Sequence, residues 1–109
     1  MMGRLVILSA LSLNAFPMET FTLRIKRVNF EELPMLARTH SPIFHFIRHQ
    51  ATVPLLSKYL PLNLNTNPGL YRYEAGDVLL IVTLKNPQRG QELSAITEND
   101  VELFLVNIE

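Results

Sequence analysis

The chain contains no cysteine, and only four of its 109 residues are glycine. The absence of cysteine excludes disulfides, thiolate metal sites and cysteine nucleophiles, and it fits a reducing cytoplasm. An excess of charge of one sign is also missing, because ten Lys and Arg balance ten Asp and Glu. With a formal net charge of +0, no overall field draws the protein to duplex DNA or to an anionic membrane. Any nucleotide ligand therefore has to be bound by a local group of polar or basic residues.

Long hydrophobic runs are missing as well. The longest apolar stretch, residues 5–13, follows Arg4 and is interrupted by Ser9 and Ser12, whereas a membrane span takes about 20 apolar residues. A basic residue before a short apolar run also has the outline of a secretory signal, so a small secreted protein remains an alternative. A buried strand gives the same pattern, and we favour a strand at residues 5–10 without contact to a membrane.

What is present is enough apolar residue for one folded core. Hydrophobic residues make up 48% of the sequence and charged residues 18%, and the length fits a single domain over residues 1–109. We find no internal repeat, zinc-binding spacing, glycine-rich phosphate loop or nucleophile-elbow motif. The residues that carry chemistry therefore have to come from loops and from the ends of helices and strands.

Hydrophobic periodicity predicts an α/β (mixed α+β) fold, with a mixed central β-sheet flanked by short helices. Asn29 and Glu32 have the spacing of a capping box, and Thr97 and Asp100 open a second short helix. A tight turn at residues 75–77 joins two alternating segments and predicts a β-hairpin. The predicted strands are residues 5–10, 21–26, 43–47, 70–74, 78–84 and 103–108, and the predicted helices are residues 29–38, 50–60 and a short one from residue 97. The period of residues 43–47 does not distinguish a strand from a helix, and we favour the strand because the run is rich in β-favouring residues.

Two polar loops are predicted beside these elements. Residues 61–69 contain two Pro, three Asn and a Gly, which is typical of a loop that closes on or near a ligand. Residues 85–92 concentrate charged and turn-forming residues next to an apolar strand. Either loop could supply groups that contact a ligand.

Three histidines are candidates for acid–base chemistry near neutral pH. His45 alternates within an aromatic strand and His40 precedes a Ser-Pro turn, so both are predicted to be structural. His49 lies where a strand ends and a helix begins, three residues before Thr52. Its side chain can therefore lie beside the unpaired N–H groups of a helix start, which favours it as the functional histidine.

Three pieces of the sequence carry a family resemblance. They read Leu-Ser-Ala-Leu-Ser-Leu-Asn at residues 8–14, Phe-Ile-Arg-His-Gln-Ala-Thr-Val-Pro-Leu-Leu at residues 46–56 and Tyr-Glu-Ala-Gly-Asp-Val-Leu-Leu-Ile at residues 73–81. In order and spacing, these pieces resemble the viral anti-CRISPR ring nucleases of type III systems and their cellular relatives. The resemblance implies an intertwined homodimer that binds cyclic oligoadenylate, by family default cyclic tetra-adenylate, and cleaves it without metal or cofactor. Such cleavage destroys a second messenger and switches off type III CRISPR signalling.

The resemblance also implies a ligand pocket and a catalytic residue. Ser12 and Asn14 match two polar members of a pocket-lining segment, and Ser9 stands where the family has an Asn. The family's catalytic His falls on His49, with Thr52 as the helix-start Thr. In this role His49 donates a proton to the leaving 5′-oxygen, while an adjacent 2′-hydroxyl of the RNA attacks the phosphate.

Two positions depart from the family pattern. Arg48 stands where the family usually has Gly, and it either changes the room available or adds a phosphate contact. The family's Arg and Glu fall in the loop of residues 85–92, which is one residue shorter here. Arg89, together with Lys85 or Arg48, would supply positive charge. Gln88 and Glu92 would join the ligand-binding residues, with Glu92 a displaced match for the family's Glu.

Each of these residues also has an ordinary structural interpretation. Ser12 and Asn14 are typical of turn capping after a strand, Thr52 of a helix cap, and Lys85 and Arg89 of a solvated loop. At the level of function, the alternative to a nuclease is a small dimer that binds or sequesters a cyclic nucleotide without cleaving it.

Overall fold

A computed structural model describes residues 3–47, 52–60, 65–66, 70–85 and 97–109. The strands are β1 (Leu5–Leu8), β2 (Leu23–Val28), β3 (Ile43–Phe46), β4 (Asn65–Thr66), β5 (Val78–Leu84) and β6 (Val101–Ile108). The α-helices are α1 (Leu33–Thr39) and α2 (Thr52–Ser57), and three 3₁₀ turns cover Leu13–Ala15, Phe30–Glu32 and Glu98–Asp100. This arrangement confirms a compact α/β domain.

Within the described ranges, the six strands form one mixed sheet in the order β2-β6-β5-β1-β3-β4. β1 pairs in parallel with both β3 and β5, so that Leu8 lies opposite Phe46 on one side and Ile81 on the other. β6 runs antiparallel to β5 and to β2. The parallel strands β1, β3 and β5 therefore all end at one edge of the sheet, which we call the C-terminal edge.

Apolar residues cover both faces of this sheet. On one face, Leu5, Ile7 and Leu80 pack against α1 and α2, whose Leu33 and Leu56 are fully buried. On the other face, Val6, Leu8 and Leu79 lie under the loops before β2 and before β5. Because both of its faces are covered, β1 reads as an unbroken apolar run. We call these two sides the helix face and the loop face.

A buried ion pair ties the starts of β1 and β5 together at the opposite edge. Arg4 donates to both carboxylate oxygens of Asp77, at 2.9 and 2.8 Å, and Tyr71 donates to the same carboxylate at 2.6 Å. Burial alone would raise the pKa of Asp77, but the hydrogen bonds from Arg4, from Tyr71 and from the Glu74 N–H lower it below its ordinary value. The charged form of Asp77 is therefore the one built into the fold.

The same corner requires a glycine. A Cβ at Gly3 would lie 1.7 Å from the carbonyl oxygen of Gly76, so no other residue fits without moving the backbone. Gly76 itself has φ +92°, the left-handed conformation that favours glycine in the turn before β5. The predicted turn is thus confirmed, and the Asp77 N–H donates to the Glu74 carbonyl across it at 3.0 Å.

The predicted hairpin is wrong, because residues 70–74 do not form a strand. β5 is already paired with β1 on one side and β6 on the other, which leaves no place for a hairpin partner. The alternation in the sequence is nevertheless real. Tyr71 and Tyr73 turn toward the loop face and pack there, while Leu70, Arg72 and Glu74 are exposed.

Most other elements follow the prediction with shifted ends. β1 stops at Leu8 and β2 begins at Leu23, and the preceding Phe21 packs on Phe16 with ring centroids 4.6 Å apart. The Glu32 carboxylate accepts from the Asn29 N–H at 2.6 Å, as the capping spacing predicted. The helix expected at residues 50–60 is shorter, α2 ending at Ser57, and residues 50–51 lie outside the described part. In the loop predicted at residues 61–69, Asn65–Thr66 form β4, and the other positions are not described.

No helix in the described ranges is long and apolar enough to cross a membrane.

Candidate functional site

The C-terminal edge brings together several of the predicted site residues. Ser9 follows β1 and Lys85 follows β5, on neighbouring parallel strands. β3 ends beside β1 at Phe46, and the described chain resumes with Thr52 at the start of α2. In open α/β sheets, ligands bind at the carboxyl ends of the strands. The pairing of β1, β3 and β5 therefore makes this edge the candidate site.

The loop after β1 carries exposed polar side chains at a 3₁₀ turn. Ser12 and Asn14 are exposed, and the Ser12 hydroxyl accepts from the Asn14 N–H at 3.3 Å at the start of the 3₁₀ turn Leu13–Ala15. The turn capping expected as an alternative for Ser12 is thus present. Capping uses one acceptor position of the hydroxyl, which keeps its proton as a donor.

Aromatic packing holds this loop from below. Ala15 and Phe16 are buried, and the Ala15 carbonyl accepts from the Tyr73 N–H at 2.8 Å. The ring of Phe16 lies 5.5 Å from that of Tyr73 and 4.6 Å from that of Phe21. These contacts pack the segment that follows Ser12 and Asn14 against the loop before β5, and they give Tyr73 a structural role.

Thr52 is buried, with 3% of its surface exposed, and is the first residue of α2. The helix anchors itself beside it through buried Leu55 and Leu56. Thr52 is therefore packed in the interior at the start of α2 and is not a surface residue. Ser9 is half-buried directly after β1.

The Lys85 side chain is exposed, and a hydrogen bond of the Lys85 backbone fixes the position of the residue. Its N–H donates to the Asp100 carbonyl at 2.9 Å, which joins the end of β5 to the turn before β6. Hydrogen bonds from the backbone and hydroxyl of Thr97 lower the pKa of Asp100, with a smaller contribution from the charge of Lys85. Among the residues that the structure describes, Lys85 forms no ion pair.

The other predicted site residues lie outside the described residues. These are Arg48, His49, Gln88, Arg89 and Glu92.

The two remaining histidines are both largely buried. His45 is 7% exposed on β3, opposite Ile7 on the helix face, and burial lowers its pKa below the ordinary value. His40 is 9% exposed and follows the last residue of α1, where its backbone N–H donates to the Leu36 carbonyl at 3.0 Å. Both positions agree with the structural interpretation. In the described part of the chain, no group of three or more His, Asp or Glu is placed to hold a metal ion.

Sequence reasoning missed a cleft of about 550 Å³ at this same edge. It lies between the end of β2, the start of β6 and the turns Phe30–Glu32 and Glu98–Asp100, and Lys85 is one of its lining residues. Its two walls are about 70 residues apart in the sequence. The antiparallel pairing of Val28 with Leu103 brings the two walls together, and no local sequence pattern predicts that pairing.

Comparisons with known proteins give the family but not the activity. A solved structure, B116 of Sulfolobus turreted icosahedral virus (STIV), matches 94% of this chain and 97% of its own, with a TM-score of 0.66 and 18% identity. At that identity the likeness shows a shared fold. A search of curated proteins found no match.

The match to a family model corrects the family expected from the sequence. The three sequence pieces suggested the ring nucleases, but the model that matches, over residues 5–108, is described as STIV B116-like. The expected family name was therefore wrong, and the match extends over nearly the whole chain. The chain belongs to the STIV B116-like family.

Proposed function

We propose that this protein binds a cyclic oligoadenylate at the C-terminal edge of its sheet and cleaves a phosphodiester of the ring, with His49 as the general acid. The observation that carries the proposal is that polar groups follow two neighbouring strands at this edge. Ser12 and Asn14 lie in the loop after β1, and Lys85 follows β5, the strand that pairs with β1. A cyclic nucleotide offers phosphates, ribose hydroxyls and base edges, which hydroxyl, amide and ammonium groups can bind.

The proposed chemistry needs no external nucleophile. The 2′-oxygen of one ribose attacks the phosphorus bonded to the 3′-oxygen of the same ribose. The bond from phosphorus to the 5′-oxygen of the next nucleotide breaks, and His49 donates a proton to the departing oxygen. The proton of the 2′-hydroxyl passes to solvent or to a nearby base. The product is a linear oligoadenylate that ends in a 2′,3′-cyclic phosphate.

Positive charge supports the transition state in this proposal. Lys85, together with Arg89 and Arg48, would stabilise the charge that develops on the phosphate. Ser9, Ser12, Asn14, Thr52, Gln88 and Glu92 would bind the ring and hold the reacting ribose in line. For Thr52, its burial favours a positioning role at the start of α2 over a wide contact with ligand.

A homodimer belongs to the same proposal. A ring of four nucleotides has equivalent phosphodiesters on opposite sides, and a two-fold dimer would contact both with the same residues. The exposed Leu13, between Ser12 and Asn14, is 65% accessible in the single chain. An apolar side chain amid polar site residues is what a second copy would cover.

The viral source of the similar B116 structure favours a role against host immunity. In a cell that signals with cyclic oligoadenylate, degradation of the ring would end type III CRISPR signalling. The cytoplasm, where such rings would be made and read, is the proposed location.

The test is cleavage of labelled cyclic tetra-adenylate by the purified chain in the presence of EDTA. We expect turnover to a linear product with a 2′,3′-cyclic phosphate end. His49→Ala should lower the single-turnover rate by about 10²- to 10⁴-fold and change the affinity little, because a proton donor acts mainly in the transition state. Arg38→Ala, an exposed change on α1, is the matched control and should cleave at the wild-type rate.

Two results would redirect the proposal. Intact ring that co-elutes with the protein would replace the nuclease with a binding or sequestering module. Wild-type cleavage by His49→Ala would remove His49 from the mechanism.

A further inference from the structure

The cleft between β2 and β6 has an apolar floor at the C-terminal edge. Val28, Phe30, Val101 and Leu103 line it, and all four are buried to at least 91% of their surface. Their side chains belong to the core on the helix face. With a volume of about 550 Å³, the cleft has room for the flat ring system of one nucleobase and its ribose.

Carboxylates stand around this floor. Glu31, Glu98 and Glu102 all line the cleft. Glu102 pairs with Arg27 at 3.2 Å, and the Arg27 guanidinium lies 5.4 Å from the centre of the Phe104 ring. This leaves Glu31 and Glu98 as the carboxylates that a ligand in the cleft would meet.

Tyr59 lies beside these two carboxylates and binds one of them. Its hydroxyl donates to Glu98 at 2.7 Å, and its ring packs against Phe30 with centroids 5.3 Å apart. The hydrogen bond to Glu98 raises the pKa of Tyr59, with smaller contributions from its desolvation and from the negative charges of Glu98 and Glu31. Glu31 and Glu98 therefore both line the cleft, and Tyr59 holds the Glu98 carboxylate.

An ionised carboxylate is an acceptor only, so these groups favour a ligand that presents N–H donors. An adenine presents its exocyclic 6-amine at the edge of a flat apolar ring, and Glu and Asp accept hydrogen bonds from such base amines. A phosphate does not fit beside Glu31 and Glu98, because like charges repel. It does fit at Lys85, which lines the same cleft toward β5 and β1.

We propose that the cleft is an adenine subsite, in which the base lies on the apolar floor and donates its 6-amine to Glu31 or Glu98 while Lys85 binds the neighbouring phosphate. This inference rests on the proposed function and assigns the recognition of one base to residues outside the three sequence pieces. Glu31 and Glu98 are then specificity-determining residues.

The test compares two ring ligands that differ only at that amine. One is cyclic tetra-adenylate, and the other is the same ring with purine bases that lack the 6-amino group. We expect the wild type to bind the ring without the amine at least tenfold more weakly, since the carboxylate then loses its hydrogen-bond donor and faces a C–H.

The double variant Glu31→Gln, Glu98→Gln should bind the two rings within about threefold of each other, because an amide can either accept or donate. Glu19→Gln, an exposed change in the loop before β2, is the matched control and should keep the wild-type preference. Circular dichroism and the thermal midpoint verify that each variant is folded.

The outcomes separate the two proposals. If the wild type binds neither ring, the proposed function fails, and the subsite fails with it. If the wild type binds and cleaves cyclic tetra-adenylate but shows no preference for it over the ring without the amine, the subsite is wrong while the function stands. A preference that persists unchanged in the double variant also overturns the subsite.

Discussion

At the scale of single residues, the strongest polar contact of the described chain lies away from the candidate site. The Asp77 side chain is only 2% exposed, and its carboxylate takes both guanidinium contacts of Arg4 and the hydroxyl of Tyr71. The Arg4 guanidinium also lies 5.2 Å from the centre of the Phe44 ring, on β3. One buried acid thus connects the start of β1, the start of β5 and the segment with Tyr71.

We expect Asp77→Asn to lower the free energy of unfolding by about 2 to 3 kcal/mol, because it leaves the partly buried Arg4 with only the exposed Glu74, at 3.4 Å, as a counter-charge. Urea denaturation measures the change. Glu109→Gln removes a second ion pair, with Arg24 at 2.9 Å, but there the two side chains are 48% and 74% exposed. That control should stay close to wild type, since solvent screens exposed pairs. Equal effects of the two substitutions would show that burial does not make the Asp77 pair special.

At the scale of elements, prediction succeeded where burial alone decides the structure. β1, β3 and β6 carry buried apolar residues because helices and loops cover the faces of the sheet, and the sequence shows these residues directly. The segment of residues 70–74 failed because alternation reports which side chains are buried, not whether the backbone finds a partner. β4, with two residues, carries no period at all.

The candidate site divides in the same way. The loop after β1 and the start of α2 adjoin well-defined elements, so their residues could be picked out from the sequence. The cleft could not, because Glu31 and Glu98 come to line the same cleft through the pairing of β2 with β6. Contacts of this kind depend on the order of strands, which no local pattern encodes.

β2 shows how an element at the end of a sheet is protected. In the described chain, no strand pairs with its outer side, and Ile25 is 55% exposed on it. Exposed cations flank that residue, and such charges oppose pairing with another edge. Lys26→Val should therefore increase self-association, measured by light scattering over a concentration series. Arg38→Val, the same kind of change on α1, should not, and equal aggregation of both variants would contradict a specific role of the edge.

At the scale of the whole molecule, the proposed ligand is large for one chain. The described cleft has room for one base unit, and the C-terminal edge is open to solvent at Ser12, Asn14 and Lys85. A ring of four nucleotides enclosed by a single such edge would keep most of its surface in water, whereas binding sites usually bury most of their ligand. A second copy related by a two-fold axis would close the site with the same residues on the far side of the ring.

We therefore expect a dimer in solution, with a mass twice the 12.5 kDa of one chain at micromolar concentration. Light scattering gives the mass, and titration with cyclic tetra-adenylate gives the stoichiometry, for which we expect one ring for every two chains. The stoichiometry is the more demanding of the two, because a dimer formed elsewhere on the surface would bind two rings. A protein that stays at 12.5 kDa, binds one ring per chain and cleaves it fully would show that a single C-terminal edge is a complete site.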